Sequence, residues 1–267
     1  MPSIGRARTH SGATDTQPRV DGISRSRTMS NVRIDPDHLF LSIRSPNILE
    51  LSNIAFQATV DELRSHVFPM WPHGIDHQES FGHHWRVKFA GRPFSSTGHD
   101  GILMQRMICK IFWVLSTHGY VYLTSINTGR AFHAPRLVFI RAPSDPGSSF
   151  FSMTLSDSGD SVVFVDPHDV VTQSLGLALR SAFPRSVTTD TLMDDNILKI
   201  QLRTTFNGLG IDKSLFLAVI LKHINDVMIK LDASVPLGRK GIFGFGSRRE
   251  LWIFKASASW WEKNGRR

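Results

Sequence analysis

The sequence predicts an α+β protein built from two tandem repeats, with helices layered on mostly antiparallel sheet. Each repeat is predicted to run strand-strand-helix-strand-helix-strand-strand. Three observations support this prediction: apolar residues alternate along short segments, apolar residues recur three and four apart along longer ones, and the whole series occurs twice. The chain is 41% apolar and 20% charged, which is typical of a globular protein with a substantial core.

The first repeat is predicted to occupy residues 35–145. Apolar and polar residues alternate along 39–43 and again along 84–89, as expected for strands with one buried face. Between them, Thr59 and Glu62 are spaced as a capping box, in which each side chain bonds a backbone N–H at a helix start. The first helix of the repeat is therefore predicted to begin just after Thr59.

A longer helix is predicted to end before Gly119, a residue type favoured just past helix ends. Arg106 and Lys110 lie on the side of this helix expected to face water. Its predicted buried face is made by Met104, Ile108, Ile111 and Leu115. The pattern therefore predicts a helix that buries a single face.

The second repeat is predicted to occupy residues 146–257. Its first helix is expected to start with Asp166 as the N-terminal cap and Pro167 as the first helical residue. Asp212 is expected to cap its second helix. Both predicted helix starts follow the residue preferences that satisfy unpaired backbone N–H groups.

Landmark residues recur between the two repeats in the same order. The spacing of the matched residues stays between 111 and 116. The matched pairs are Phe40 with Phe151, Leu63 with Leu179, Pro69 with Pro184, Trp85 with Leu198, and Leu137 with Leu251. A nearly constant spacing predicts a duplicated unit rather than two unrelated segments.

Both ends of the chain are basic, although the body is nearly neutral. The net charge of +8 divides into +4 for residues 1–34, −2 for 35–238 and +6 for 239–267. Residues 1–34 are predicted to be a disordered basic tail, and residues 258–267 a basic tail that contains Trp260 and Trp261. The tryptophans are expected either to anchor a partner or membrane surface or to fold back over the core.

Cysteine content and hydropathy favour an intracellular location. The one cysteine, Cys109, cannot form an internal disulfide. No apolar stretch is long enough to predict a transmembrane segment. The expected location is cytoplasm or nucleus, with the mitochondrion less favoured because prolines and glycines interrupt the Arg-containing N-terminal segment.

Four segments carry a resemblance to a known group of proteins. They are HWRVKFAGRPFSSTG (84–98), LTSINTG (123–129), APRLVFIRA (134–142) and LDASVPLGRKG (231–241). With these segments, residues 39–257 resemble a set of uncharacterised fungal proteins, mainly from mushroom-forming fungi. The resemblance implies an intracellular fungal protein and implies no activity, cofactor or catalytic residue.

A histidine-rich stretch is the first candidate for chemistry. Imidazole is a common metal ligand, and His73, His77, His84 and His99 lie close together in sequence. Their spacing matches no known metal signature, so the alternative is a set of surface histidines in a loop. The sequence indicates no catalytic residue and leaves the cofactor unknown.

A glycine-rich basic segment is the second candidate. Glycines allow backbone N–H groups to approach a phosphate, and Arg and Lys supply positive charge. The candidate ligand-binding residues are Arg239, Lys240, Gly241, Gly244, Gly246, Arg248 and Arg249. The alternative is a hairpin loop whose charges keep a sheet edge soluble.

Three functions follow as hypotheses. A non-enzymatic binding or scaffold module with a protein partner is favoured, because no set of catalytic residue types has a usable spacing. The alternatives are an enzyme or phosphate-ligand protein that uses a cleft between the repeats, and weak nucleic-acid association through the basic ends.

Overall fold

A computed structural model describes six stretches of the chain. They are residues 37–127, 135–156, 158–193, 195–203, 212–239 and 248–257, with backbone alone at 238, 239 and 248. The predicted tails, 1–34 and 258–267, and most of the glycine-rich segment lie outside the described residues.

The described residues form twelve strands and four α-helices. Repeat 1 contains β1 (His38–Arg44), β2 (Ile48–Ser52), α1 (Gln57–Glu62), β3 (Ile75–Phe81), β4 (His84–Phe89), α2 (Gly98–Thr117), β5 (Tyr120–Ile126) and β6 (Arg136–Arg141). Repeat 2 contains β7 (Ser149–Leu155), β8 (Ser161–Val165), α3 (Asp169–Ala182), β9 (Val187–Met193), β10 (Ile197–Leu202), α4 (Lys213–Asp226), β11 (Lys230–Arg239) and β12 (Arg248–Ala256).

The two repeats have the same sheet topology. Sheet 1 has the strand order β3-β4-β2-β1-β6-β5, and sheet 2 has the order β9-β10-β8-β7-β12-β11. Adding six to each strand number of sheet 1 gives the order of sheet 2, and every described strand pair is antiparallel. The predicted α+β class with two tandem repeats is therefore confirmed.

Each repeat has one more strand than predicted. The additional strands, β3 and β9, are sheet-edge strands that pair with β4 and β10 in hairpins. Six of the seven residues of β3 are exposed, and β9 is also mostly exposed. Because neither strand buries one face, neither shows the apolar alternation on which the prediction depended.

The helix starts predicted at Thr59 and Asp166 are wrong. Helix α1 begins at Gln57, so Thr59 lies inside its first turn instead of capping it. Helix α3 begins at Asp169 after His168, because the Asp166 carboxylate binds elsewhere. Asp212 does cap α4, since its carboxylate accepts a hydrogen bond of 2.8 Å from the backbone N–H of Ser214.

Helix α2 is buried on two faces, not one, because it lies between the two sheets. One face, which contains Ile108 and Leu115, packs in the core of repeat 1 as predicted. On the other face, Gln105 accepts a buried 3.1 Å hydrogen bond from the hydroxyl of Ser152 in β7. The ring of Phe112 contacts rings of both sheets, 5.3 Å from Phe139 and 6.2 Å from Phe150 between centroids.

Repeat 2 completes the hydrophobic core of repeat 1. Side chains from β11 and β12 belong to the same buried cluster as the inner face of sheet 1 and α2. These side chains are Ala233, Val235, Leu237, Leu251 and Ile253. Sheet 2 buries its opposite face against α3 and α4, where Phe151, Phe254 and Phe216 belong to a second cluster. Both faces of sheet 2 are therefore packed against helices.

None of the helices in the described stretches has the length and apolar character that a bilayer crossing needs.

Candidate functional site

Along β2, β4 and β3, the outer face of sheet 1 is polar and points away from the core. Strand alternation places Leu49 and Leu51 on the core side of β2, so Glu50 faces outward. The pairing of β2 with β4 sets Glu50 opposite Arg86, and the pairing of β3 with β4 sets Arg86 opposite Glu79. Charged residues of three neighbouring strands therefore form one row across the sheet.

Ion pairs connect the members of this row. The guanidinium of Arg86 donates to Glu50 and to Glu79, each at 2.7 Å, and Arg44 of β1 donates to Glu50 at 2.9 Å. Hydrogen bonding to Glu50 and the charges of both carboxylates raise the pKa of Arg86. Opposite charges on facing strands stabilise a sheet modestly and hold the side chains in fixed positions.

Two of the candidate metal-binding histidines lie at this same sheet surface. His77 is in β3, with its Nε2 3.9 Å from Glu79, and His84 is in β4, with its Nδ1 2.8 Å from the Ser52 hydroxyl. His73 precedes β3, and its Nε2 lies 3.3 Å from the carboxylate of Asp100. Asp100 and His99 are both in the first turn of α2. The four histidines therefore lie before β3, in β3, in β4 and in the first turn of α2, and not in one surface loop.

The described geometry does not favour a metal site at these histidines. Within the described stretches, no three His, Cys, Asp or Glu side chains are placed to hold one ion. Each of His73, His77 and His84 faces a different polar neighbour, and zinc sites usually need four ligands around one centre. The metal site stays a prediction that the described contacts do not support.

The described parts of the glycine-rich basic segment are the end of β11 and the start of β12. The backbones of Arg239 and Arg248 are paired in the ladder between these two strands. Lys240, Gly241, Gly244 and Gly246 lie outside the described residues. Arg249 donates to the backbone carbonyl of Ser96 at 3.0 Å and so attaches β12 to the loop before α2. This contact gives Arg249 a packing role, and phosphate binding by the segment stays a prediction.

Arg106 joins the two repeats through a contact that the sequence did not indicate. Its guanidinium binds the Asp166 carboxylate with two hydrogen bonds of 2.9 and 3.0 Å and also donates to the backbone carbonyl of Asp195. The hydrogen bond that Arg106 donates to Asp166 is the main cause of the raised pKa of Arg106. A bidentate pair of this kind fixes the relative orientation of the two side chains and also pairs their charges.

A pocket of about 230 Å³ lies in repeat 2 beside this contact. It lies where β7 begins, β8 ends and α3 begins, and it is lined by Ser149, Phe150, Phe151, Asp166, Pro167, His168, Asp169 and Asn196. The backbone N–H of Asp166 donates to the backbone carbonyl of Asn196 at 3.0 Å. The side-chain amide of Asn196 donates to the backbone carbonyl of Pro167 at 3.3 Å. Asp166 and Asn196 both have left-handed backbone conformations, with φ of 54° and 56°. The pocket wall is therefore fixed by its own hydrogen bonds.

Burial shifts the pKa values of two groups near this pocket. Burial lowers the pKa of His168, because an imidazolium is less well solvated there than in water. Burial raises the pKa of the Cys109 thiol to about 12, so the reactive thiolate form is negligible at neutral pH. Cys109 is a buried packing residue, as its apolar sequence neighbours suggested.

A second cluster of charge lies at the contact between the repeats. Lys255 of β12 is 3.0 Å from the Asp145 carboxylate and lies over the ring of Phe150. Desolvation would raise the pKa of Asp145, but hydrogen bonds from Ser148 and Lys255 keep it below its ordinary value. Asp232 and Lys255 line a space of about 10 Å³, comparable with the volume that one water needs. At this position no open cleft separates the repeats.

We expect Asp232→Asn to stabilise the protein at neutral pH but not at pH 4. Burial raises the pKa of Asp232 to about 6, although Lys255 opposes the shift. Below about pH 4 the carboxyl is mostly neutral in both folded and unfolded chains, so its burial costs little folding free energy. Between pH 4 and 6 the unfolded chain ionises first, and stability falls by about 1 to 3 kcal/mol. Urea unfolding at pH 4 and 7.5 measures this difference.

The control for this prediction is the exposed Asp37, whose change to Asn should leave stability nearly unchanged at both pH values. Equal stability of the wild type and the Asp232→Asn variant at pH 7.5 would show that the carboxylate is well solvated in the folded protein.

Comparison with known proteins extends only to repeat 1. A family model for an uncharacterised domain matches residues 37–141, which contain β1 to β6 and make up less than half of the chain. No curated protein and no solved structure matches the sequence. The chain is thus similar to an uncharacterised domain over its first repeat, and its function has to be inferred from the geometry described above.

Proposed function

We propose that the protein is a non-enzymatic binding module that holds a protein partner on the outer face of sheet 1. The observation that carries this proposal is the difference between the two sheets. Sheet 2 has helices on both faces, whereas the described helices of repeat 1 pack on the inner face of sheet 1. The two repeats share one topology, but among the described helices none packs on the outer face of sheet 1.

The chemistry of the outer face fits a polar protein surface. The row formed by Arg44, Glu50, Arg86 and Glu79 alternates in charge along its length. A partner surface with the complementary order of charges would be oriented and selected by this row. The row would contribute less to the affinity of the complex than to its specificity. Because the ion pairs already order these side chains, binding would cost less side-chain entropy.

One aromatic side chain at the edge of this face provides the expected apolar anchor. Phe81 ends β3, and 84% of its surface is exposed. Its position in β3 places it on the same face as Glu79, two residues earlier. Exposed aromatic residues beside ordered charges are typical of the residues that dominate interface energies. Phe81 is the residue on which the proposal is most easily tested.

We expect Phe81→Asp to reduce capture of the partner by about tenfold or more. The full-length protein is cross-linked in extract of its source cells, and partners are quantified by mass spectrometry. The matched control is Leu177→Asp, which changes a 68% exposed apolar residue on α3 of repeat 2. Both residues are exposed, so the free energy of unfolding should change little in either variant.

Either of two results would contradict the proposal. Equal recovery of every partner with the Phe81→Asp and wild-type proteins would exclude this face as the docking surface. Loss of partners with Leu177→Asp alone would move the surface to repeat 2. Phosphate binding, nucleic-acid association, fungal origin and placement in cytoplasm or nucleus stay predictions to which the described contacts add nothing.

A further inference from the structure

The residues on the outer face of sheet 1 form rows that run across its strands. Paired residues of antiparallel strands lie on the same sheet face, so the pairing of β3, β4, β2 and β1 defines each row. In the first row the charges alternate in sign, in the order Glu79, Arg86, Glu50 and Arg44. Ser42 is the residue of β1 that pairs with Glu50, and the guanidinium of Arg44, two residues later, reaches the Glu50 carboxylate.

A second row lies beside the first, two positions away along each strand. Its members, from β3 to β1, are Phe81, His84, Ser52 and Phe40. The two central side chains are joined by a hydrogen bond of 2.8 Å between His84 Nδ1 and the Ser52 hydroxyl. Val138 of β6 pairs with Phe40 and extends the apolar end of the row at β1. The second row is therefore apolar at both ends and polar in the middle.

The charged row is complementary to a second copy of itself. Consider a two-fold axis that lies in the interface, parallel to the strands and midway between β2 and β4. This axis places β1 of one copy over β3 of the other, and β2 over β4, so that the same patch contacts itself. Arg44 then faces Glu79 of the second copy, and Glu50 faces Arg86 of the second copy. Every charge of the row thus meets a charge of opposite sign.

The second row is complementary under the same axis. Phe81, which is 84% exposed, faces the half-buried Phe40 of the second copy, so two aromatic pairs form in each dimer. His84 faces Ser52 of the second copy, and these polar groups hydrogen-bond readily. Sheets that pack face to face keep their strands roughly aligned, as this axis requires. One axis therefore satisfies both the charged row and the aromatic row.

We propose that the outer face of sheet 1 binds the same face of a second copy of this chain in a two-fold dimer, with β1 of each copy over β3 of the other. This dimer rests on the function proposed above, because it names the partner for the same face. The charges set the orientation of the two copies, and the aromatic pairs supply the apolar contact.

The overlap of four strands determines the strength of the dimer. Strands about 4.8 Å apart, each with about five residues of about 3.3 Å, give a footprint of roughly 300 Å² per copy. Even doubled for the relief of the side chains, this area is below the about 800 Å² per partner of a standard interface. We therefore expect a weak dimer that forms at micromolar or higher concentrations of protein.

Sedimentation equilibrium of the full-length protein tests the proposal. As concentration increases, the average mass should rise from that of one chain toward that of two. Phe81→Asp should raise the dissociation constant about tenfold or more, because its carboxylate would be buried against Phe40 of the second copy. The matched control, Leu177→Asp, changes an exposed apolar residue of α3 and should leave the dissociation constant unchanged.

A charge exchange tests the two-fold arrangement itself. Arg44→Glu or Glu79→Arg alone sets like charges face to face at two places in the dimer, and each should raise the dissociation constant about tenfold. An equal mixture of the two variants should regain association, because in the mixed dimer each new charge faces its opposite. The wild-type side chains are 42% and 48% exposed, so neither change should disturb folding.

Three outcomes would overturn the proposal. The first is a chain that stays monomeric at every concentration. If Phe81→Asp nevertheless lost partners in extract, the proposed function would stand with a different protein as partner, whereas no loss in extract would remove both. The second is a dimer that Phe81→Asp and both charge variants leave intact, and the third is a mixture that regains no association. If circular dichroism shows that a charge variant is misfolded, the comparison of Phe81→Asp with Leu177→Asp decides the result.

Discussion

Repeat 1 made alone, as residues 37–145, is expected to lack a stable folded state. Five apolar side chains of β11 and β12 complete its core, and burying them contributes about 5 to 10 kcal/mol. That amount is comparable with the whole net stability of a typical domain, about 5 to 15 kcal/mol. Without repeat 2, α2 would also expose Phe112 and leave Gln105 without its buried partner Ser152.

Chemical unfolding followed by circular dichroism measures this effect. The isolated repeat should show no cooperative transition and should bind a hydrophobic dye, whereas residues 37–257 should unfold cooperatively. A cooperative transition in the isolated repeat, together with dispersed NMR signals, would show that repeat 1 is an independent domain despite the shared core.

Gly119→Ala is expected to destabilise the protein by about 2 to 4 kcal/mol. Gly119 follows the end of α2 with φ of 76°, a conformation that costs other residues about 1 to 2 kcal/mol. An added Cβ would lie 2.6 Å from the carbonyl oxygen of Ala142, a backbone atom that cannot move aside without displacing the connection to repeat 2. Overpacking of this kind adds about 1 to 3 kcal/mol.

Gly82→Ala separates the two causes. Gly82 also has a positive φ, 57°, but an added Cβ there would have no atom within 4 Å. We expect this variant to lose only about 1 kcal/mol, the cost of the backbone conformation alone. Equal losses for the two variants in urea unfolding would show that the Ala142 contact relaxes freely.

Sequence patterns predict the elements that bury one face. They do not predict an element that buries no face, or the second buried face of an element that buries two. Strand β4 alternates strictly in burial and was predicted within its observed bounds. Strand β3 has neighbours on one edge only and exposes most of its side chains, so its composition resembles a loop. Helix α2 showed one apolar face, but its second buried face includes Gln105 and Ser116, whose polarity concealed it.

The site residues were harder to predict because their roles depend on contacts distant in sequence. Arg106 lies on the polar side of α2, and only its pairing with Asp166, 60 residues away, shows that it joins the repeats. The same pairing explains why Asp166 does not cap α3. The histidine and glycine-rich segments stood out by composition, yet composition does not specify which side chains converge.

The shared core has a consequence for how the protein is made. Ribosomes synthesise a chain from its N-terminus, and N-terminal domains usually fold first as they emerge. Leu41 of β1 shares its core with Leu251 and Ile253, more than 200 residues later. The first repeat can therefore reach its final packing only after β12 has been synthesised. Until then its apolar inner surface stays incompletely covered, and nascent chains should depend on chaperones throughout most of translation.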